Sequence, residues 1–214
     1  MTVEMILDSS TPAYLKCLWG VLSSGTHYGV PGERQAINLR ESDDGNNPNT
    51  LTSVWVVDLP RNSIVIDADK LPYSILETNK RQDEWPSIDN YRHVSDYVIL
   101  SEADGVYYHL YVEMKTGYQK RTYIPQLRCA RAQLEHLMYL IRHFDGKIFP
   151  ENIRHRFVKF SKLPLFKRTT TGMETFSGPD KPNVNDEPCK TYQRFVNDDE
   201  YVSFNELIDM SYVP

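Results

Sequence analysis

The dipeptide Asp104-Gly105 constrains this 214-residue chain more than any other feature. It stands between two runs rich in β-branched and aromatic residues, 95–101 (SDYVILS) and 106–114 (VYYHLYVEM). Asp-Gly is favoured in two-residue type I′ hairpin turns, where both central residues take positive φ. That turn pairs Ala103 with Val106 and sets all partner numbers to sum to 209, so Asp96 falls opposite Glu113. Directly opposed residues have Cβ atoms roughly 4.5–5.5 Å apart, close enough for two carboxylates to meet one cation. Lys115 follows Glu113 by two, and strand alternation points it to the same face. A four-residue loop would shift the pairing by two and keep the acids together. A three-residue loop would put them on opposite faces.

Around this hairpin the chain alternates helical and strand-like segments. Leu15, Leu18, Trp19 and Leu22 recur at helical spacing after Ser9-Ser10-Thr11-Pro12, predicting an N-capped helix over 12–23. Residues 24–50 read mostly as loop, with a short helix over 33–40 as an option, and 70–94 read as surface loop. Runs 53–58 (SVWVVD) and 62–67 (NSIVID) are strand-like. The clearest helix spans 125–143: Pro125 fits its first turn, and Leu127, Ala130, Leu134, Leu137, Met138 and Ile141 form one apolar stripe. Residues 156–161 (RFVKFS) read as a further strand, 168–192 as loop, and 201–208 as a last strand and helical turn. The expected fold class is α/β, a mixed central β-sheet flanked by helices. Residues 1–170 would form the core domain, with 171–214 an acidic extension packed on the same domain.

Hydrophobic residues at 40% and charged residues at 25% suit a globular domain, and no apolar run approaches a membrane span. The acid-bearing N-terminus lacks the basic start of a signal peptide. Cys17, Cys129 and Cys189 are odd in number and widely spaced, which suits reduced thiols and a cytoplasmic location. The net charge of −5 hides a strong block structure: residues 115–170 hold 13 Lys/Arg against 3 Asp/Glu, a local net of +10. A polyanion responds to such a patch and not to the whole-chain charge. Arg128, Arg131, Arg154, Arg156 and Lys159 are therefore the expected nucleic-acid contacts, with Lys162, Lys167 and Arg168 beyond them. The rival reading is a basic helix and strand that balance acidic neighbours.

Two acids and one amine on one sheet face suit divalent-metal chemistry. Mg²⁺ takes one or two carboxylates and keeps several waters. A neighbouring ammonium orients the attacking water or stabilises charge as phosphorus becomes five-coordinate. The tripeptide Glu113-Met114-Lys115 alone carries little weight, because Glu-x-Lys arises by chance roughly once in a chain of this length. Its context carries more: an Asp opening the preceding strand, an apolar lead-in, and an amphipathic helix next.

With that context the chain resembles the PD-(D/E)XK nuclease superfamily. The resemblance rests on Ser95-Asp96-Tyr97-Val98-Ile99-Leu100, on Tyr111-Val112-Glu113-Met114-Lys115, and on the following helix with Gln126 and Gln133. Ser95 stands where the family's proline is usual. The resemblance implies a restriction-endonuclease-like αβββαβ core over about 12–161 and metal-dependent phosphodiester hydrolysis. Asp96 and Glu113, helped by the Met114 carbonyl, would hold Mg²⁺ or Mn²⁺; Lys115 would assist the nucleophile, and Gln126 would be the helix contribution, with Gln133 less clear. Glu33 is the match for an early-helix glutamate, against its reading as an ordinary loop or cap acid. DNA is the implied substrate ahead of RNA, with a homodimer or larger complex as the setting and restriction, anti-phage defence or mobile-element maintenance as the role. The competing function is a non-catalytic nucleic-acid-binding or assembly subunit on the same fold; a third is a protein-interaction module docking through 171–214.

Overall fold

The computed structural model describes residues 11–22, 27–29, 36–41, 51–61, 63–68, 94–115, 123–162 and 191–208. The hairpin organises the molecule. Asp104 and Gly105 have φ of 52° and 74°, as a type I′ turn requires. Strand β5 (Tyr97–Ala103) and strand β6 (Val106–Lys115) pair in the register that this turn dictates, from Ala103↔Val106 to Tyr97↔Val112. On the other side of β5 lie β4 (Ile64–Asp67) and then β1 (His27–Gly29), both antiparallel.

Beyond β6 the connection changes. The chain leaves Lys115 and forms helix α2 (Tyr123–Asp145), then returns as β7 (Ile153–Lys162), parallel to β6. A parallel pair needs such a crossover, because the chain must travel back along the sheet before pairing again. Strand β8 (Tyr192–Val196) adds parallel to β7 and completes a six-stranded mixed sheet, β1-β4-β5-β6-β7-β8.

A second, three-stranded mixed sheet holds β2 (Ile37–Arg40), β3 (Ser53–Val57) and β9 (Glu200–Ser203), with short helix α3 (Phe204–Ile208) following β9. Helix α1 (Ala13–Val21) precedes them all. Alternation along β6 sorts the two cores. Tyr108, Leu110, Val112 and Met114 join Val54, Val56, Val202 and Phe204 of the small sheet and α3. Tyr111 on the opposite face joins Leu15 and Leu18 of α1 and Leu127, Ala130, Leu134 and Ile141 of α2. Each fully buried leucine in that stripe contributes about 1.5–3 kcal/mol from apolar burial.

The fold is thus mixed α/β, and it differs from the sequence expectation in several places, among them the unexpected strands β1 (His27–Gly29) and β8 (Tyr192–Val196). The two long helices cover one face of the large sheet only, and the other face is covered by the small sheet with α3. Run 53–58 belongs to that small sheet, beside residues 37–40, which are a strand and not the helix entertained for 33–40. The stretch 37–40 (INLR) alternates inward and outward, and its pairing with β3 satisfies a backbone that carries no helical stripe. Glu33 lies outside the described residues, as do 69–93 and Cys189. Residues 191–208 of the acidic extension are integral, supplying β8, β9 and α3 to both sheets. Pro12 itself takes the N-cap of α1, without a side-chain cap bond. Among the described residues no helix is long and apolar enough to cross a membrane.

Candidate active site

Asp96 sits in a bend one residue before β5, and the hairpin register carries it to the end of the strand pair beside Glu113. Its backbone carbonyl accepts from Ala68 N–H at 3.0 Å, and its side-chain Oδ2 accepts from Met114 N–H at 2.5 Å. That bond locks the carboxylate against β6. Glu113 and Lys115 alternate with Met114 and so share the helix-side face of the sheet, and Asp96 lies beside them at the end of the strand pair. The Met114 side chain is buried in the opposite core, so only its backbone faces the acids.

Glu113 is fully buried. One of its oxygens, Oε1, meets the Lys115 ammonium in an ion pair, and Oε2 has no hydrogen-bond partner among the described residues. Burial, together with the Asp96 charge, pushes its pKa up to about 8, against the opposing pull of Lys115; Glu41 adds a smaller upward push. Lys115 is 20% exposed, the more accessible partner of the pair. Burial pulls its pKa down, but the adjoining Glu113 carboxylate outweighs this and the net shift is upward. A carboxylate removed from water beside a second carboxylate is costly unless something positive joins them. Strongly perturbed acids of this kind concentrate at functional sites.

Glu41 is the acid that sequence reading missed. It lies far from the hairpin in sequence, one residue past β2. Tyr97 brings it near: its hydroxyl donates to the Arg40 carbonyl at 2.5 Å and accepts from Arg40 N–H at 3.1 Å. Glu41 N–H then bonds the Thr52 carbonyl at 3.1 Å, and its carboxylate is felt by both Glu113 and Lys115. No spacing rule could have found it, because a hydroxyl from another sheet makes the connection.

Lys159 is the second addition. Its β7 position pairs directly with Glu113, and its side chain is 1% exposed. The ammonium lies 4.7 Å from the centre of the Tyr123 ring, and the Tyr123 hydroxyl accepts from Gln193 on β8 at 2.8 Å. Burial draws the Lys159 pKa down, with Glu113 opposing. The position expected to contact nucleic acid is thus buried here, because β7 runs through the sheet interior with both faces covered.

Arg156, expected in the same role, is also buried. It is 8% exposed, stacks over Tyr108 at 5.9 Å and donates to the carbonyls of His155 and Ile208. Arg128 and Arg154 are exposed, whereas Arg131 is engaged with Glu135 at 2.7 Å and Lys162 with Asp198 at 2.7 Å. Lys167 and Arg168 lie outside the described residues. Gln126 is half-buried in the first turn of α2, one turn on from Tyr123, and bonds none of the three site residues.

A divalent ion fits the donors present. The unpartnered Oε2 of Glu113 and the anchored Asp96 carboxylate, with the Met114 carbonyl, would offer hard oxygen donors from neighbouring strands. Among the described residues no three His, Cys, Asp or Glu side chains converge as a ready-made metal group, so water would complete the shell. That suits Mg²⁺, which binds through one or two carboxylates, better than zinc, whose sites are closed by nitrogen and sulfur ligands.

Compared with known proteins, the chain matches no family model, no curated protein and no solved structure.

Proposed function

We propose that this chain is a Mg²⁺-dependent nuclease of the PD-(D/E)XK type, hydrolysing phosphodiester bonds in DNA. The observation that carries the reading is the hairpin register, which gathers Asp96, Glu113 and Lys115 at one end of one sheet face. The order α1, β4, β5, β6, α2, β7 supports it, since it follows the restriction-endonuclease-like arrangement of a helix, three strands, a helix and a strand. On this reading the protein works in the cytoplasm, as a homodimer or within a larger assembly, in restriction, anti-phage defence or mobile-element maintenance.

Asp96 and Glu113 would hold the ion, with the Met114 carbonyl between them. Bound there, Mg²⁺ supplies Lewis-acid polarisation of a phosphoryl oxygen and acidifies water. The remaining work belongs to the chain. The Met114 N–H fixes the aim of the Asp96 carboxylate. Lys115, partly exposed and positively charged, steers the attacking water and offsets the charge that builds on phosphorus. The burial of Glu113 strengthens each of these interactions by excluding bulk water.

The test is incubation with plasmid, linear duplex and single-stranded DNA plus Mg²⁺ or Mn²⁺. Cleavage by the parent and a drop of about 10²–10³-fold in Lys115→Ala are expected, the loss typical of removing one stabilising donor. Equal rates for parent and Lys115→Ala would refute the assignment. Binding without cleavage under either metal would transfer the reading to a non-catalytic nucleic-acid-binding subunit.

A further inference from the structure

Helix α2 has two faces, and the fold uses one of them. Leu127, Ala130, Leu134 and Ile141 are buried in the core that α2 shares with the sheet and α1. At about 100° per residue, Tyr139 stands on the other side of the helix from Leu134 and Ile141. It is 60% exposed, and a row of rings runs on from it. The His143 ring stacks on Tyr139 at 6.0 Å, and Phe144, 76% exposed, meets His143 edge-on at 5.0 Å. Ile148, just past the helix, is 91% exposed. Four large apolar side chains are exposed among the described residues, and three of them are these, all between 139 and 148. Since buried Phe and Tyr side chains remove 150–250 Å² each from water, the three leave roughly 400 Å² of apolar surface open. A patch of that size commonly marks an interface.

Charge and spacing say what covers it. Exposed Arg128, Arg142 and Lys147 face exposed Glu135 and Asp145 along the outer side of 128–147, a net of only +1. A polyanion is drawn by a surface of one sign, whereas near balance suits a surface that can complement itself. The exposed residues Arg128, Ala132, Glu135, Tyr139 and Arg142 step by four, three, four and three, the spacing at which one helix lies along another. Glu135 and Arg142 stand on either side of Tyr139. In an antiparallel pair with its two-fold axis beside Tyr139, each Glu135 meets the partner's Arg142, and the small Ala132 lets the helices approach. A parallel pair would set like charges against each other. A standard interface takes about 800 Å² from each partner, so the three apolar side chains supply about half and leave the remainder to a polar rim. We infer that the outer face of α2, centred on Tyr139, is the surface through which two copies of this chain pair, antiparallel about a two-fold axis. The pairing does not depend on the proposed nuclease reading; it specifies the contact of the homodimer that reading includes.

Sedimentation velocity of the full chain in EDTA, from roughly 1 to 100 μM, tests it. The parent is expected to reach twice the 24.9 kDa chain mass as concentration rises. Tyr139→Ser with Phe144→Ser should raise the dissociation constant at least ~30-fold, the loss of two central aromatic anchors. At a dilution where the parent is monomeric, the Tm of this variant should stay within ~2 °C, because both side chains face water in the single chain. Arg142→Glu should weaken pairing about tenfold, and adding Glu135→Arg should restore it to within about threefold. A parent that stays monomeric overturns the proposal, as does a dimer that the serine variant leaves intact or a charge swap without recovery. A monomeric parent that binds duplex DNA through this face, shown by loss of binding in the serine variant, gives the surface to nucleic acid instead. A pairing parent that never cuts DNA keeps the interface and removes the nuclease. A cutting monomer does the reverse.

Discussion

Replacing Glu113 by Gln removes a charge that the folded protein holds at a cost, and the size of that cost depends on pH. The folded carboxyl keeps its proton up to about pH 8, against an ordinary value of 4.5, because burial and the Asp96 carboxylate disfavour ionisation. A group whose pKa is raised on folding contributes stability that is present below its unfolded value and lost as pH rises through the folded one. The parent therefore loses stability between about pH 4.5 and 8. At ~1.4 kcal/mol per pH unit that window sets a ceiling of about 5 kcal/mol. The variant keeps a similar shape without the charge, but Lys115 loses its ion-pair partner, and being one-fifth exposed it returns part of that energy to water. A net advantage of about 2–3 kcal/mol for Glu113→Gln at pH 8.5 follows, falling to about zero at pH 5. For a chain of this size that is a Tm gain of ~5–10 °C at the higher pH. Thermal melts of both proteins in EDTA, at half-unit steps from pH 5 to 8.5, measure the difference directly. Melting temperatures that stay parallel across the range would refute the reasoning, for they would mean that the site does not strain this carboxylate. Cleavage by the stabilised variant should fall at least ~10²-fold, the exchange of activity for stability expected where an active site stores unfavourable charge.

Two further outcomes follow from other parts of the structure. His109 is fully buried, stacks on Tyr14 at 6.2 Å, and has both ring nitrogens unpartnered among the described residues. Burial, then the nearby His155 and Arg131, hold its pKa down at about 3, so stability present above about pH 6.5 drains away on acidification toward 3; His109→Phe should flatten the loss of urea midpoint between pH 7 and 4, and an unchanged acid limb would count against the buried neutral imidazole. Gly105→Ala should cost about 1–2 kcal/mol through its φ of +74° alone, since nothing lies within 4 Å of an added Cβ, and a chemical-denaturation midpoint indistinguishable from the parent would argue against the type I′ turn.

Legibility in the sequence followed the range of the interaction that mattered. The hairpin was readable to the residue because a two-residue Asp-Gly turn sets the register, and a period of two then assigns each side chain to a face. Asp96, Glu113 and Lys115 came out together for that reason. The α2 stripe of Leu127, Ala130, Leu134 and Ile141 was readable because helical spacing is local. The short strand β2 was not, because four residues carry too little pattern and acquire their state by pairing with β3.

The sequence by itself therefore determined the local geometry: which residues turn, which face each strand residue takes, and hence which acids meet. Only the tertiary structure decided what surrounds them. The parallel docking of β7 against β6 placed Lys159 beside Glu113, and covering both faces of β7 removed Lys159 and Arg156 from solvent. A hydroxyl on Tyr97 drew Glu41 toward the site from the other sheet. These are contacts between segments far apart in the chain, set by packing and burial, and no short-range spacing encodes them.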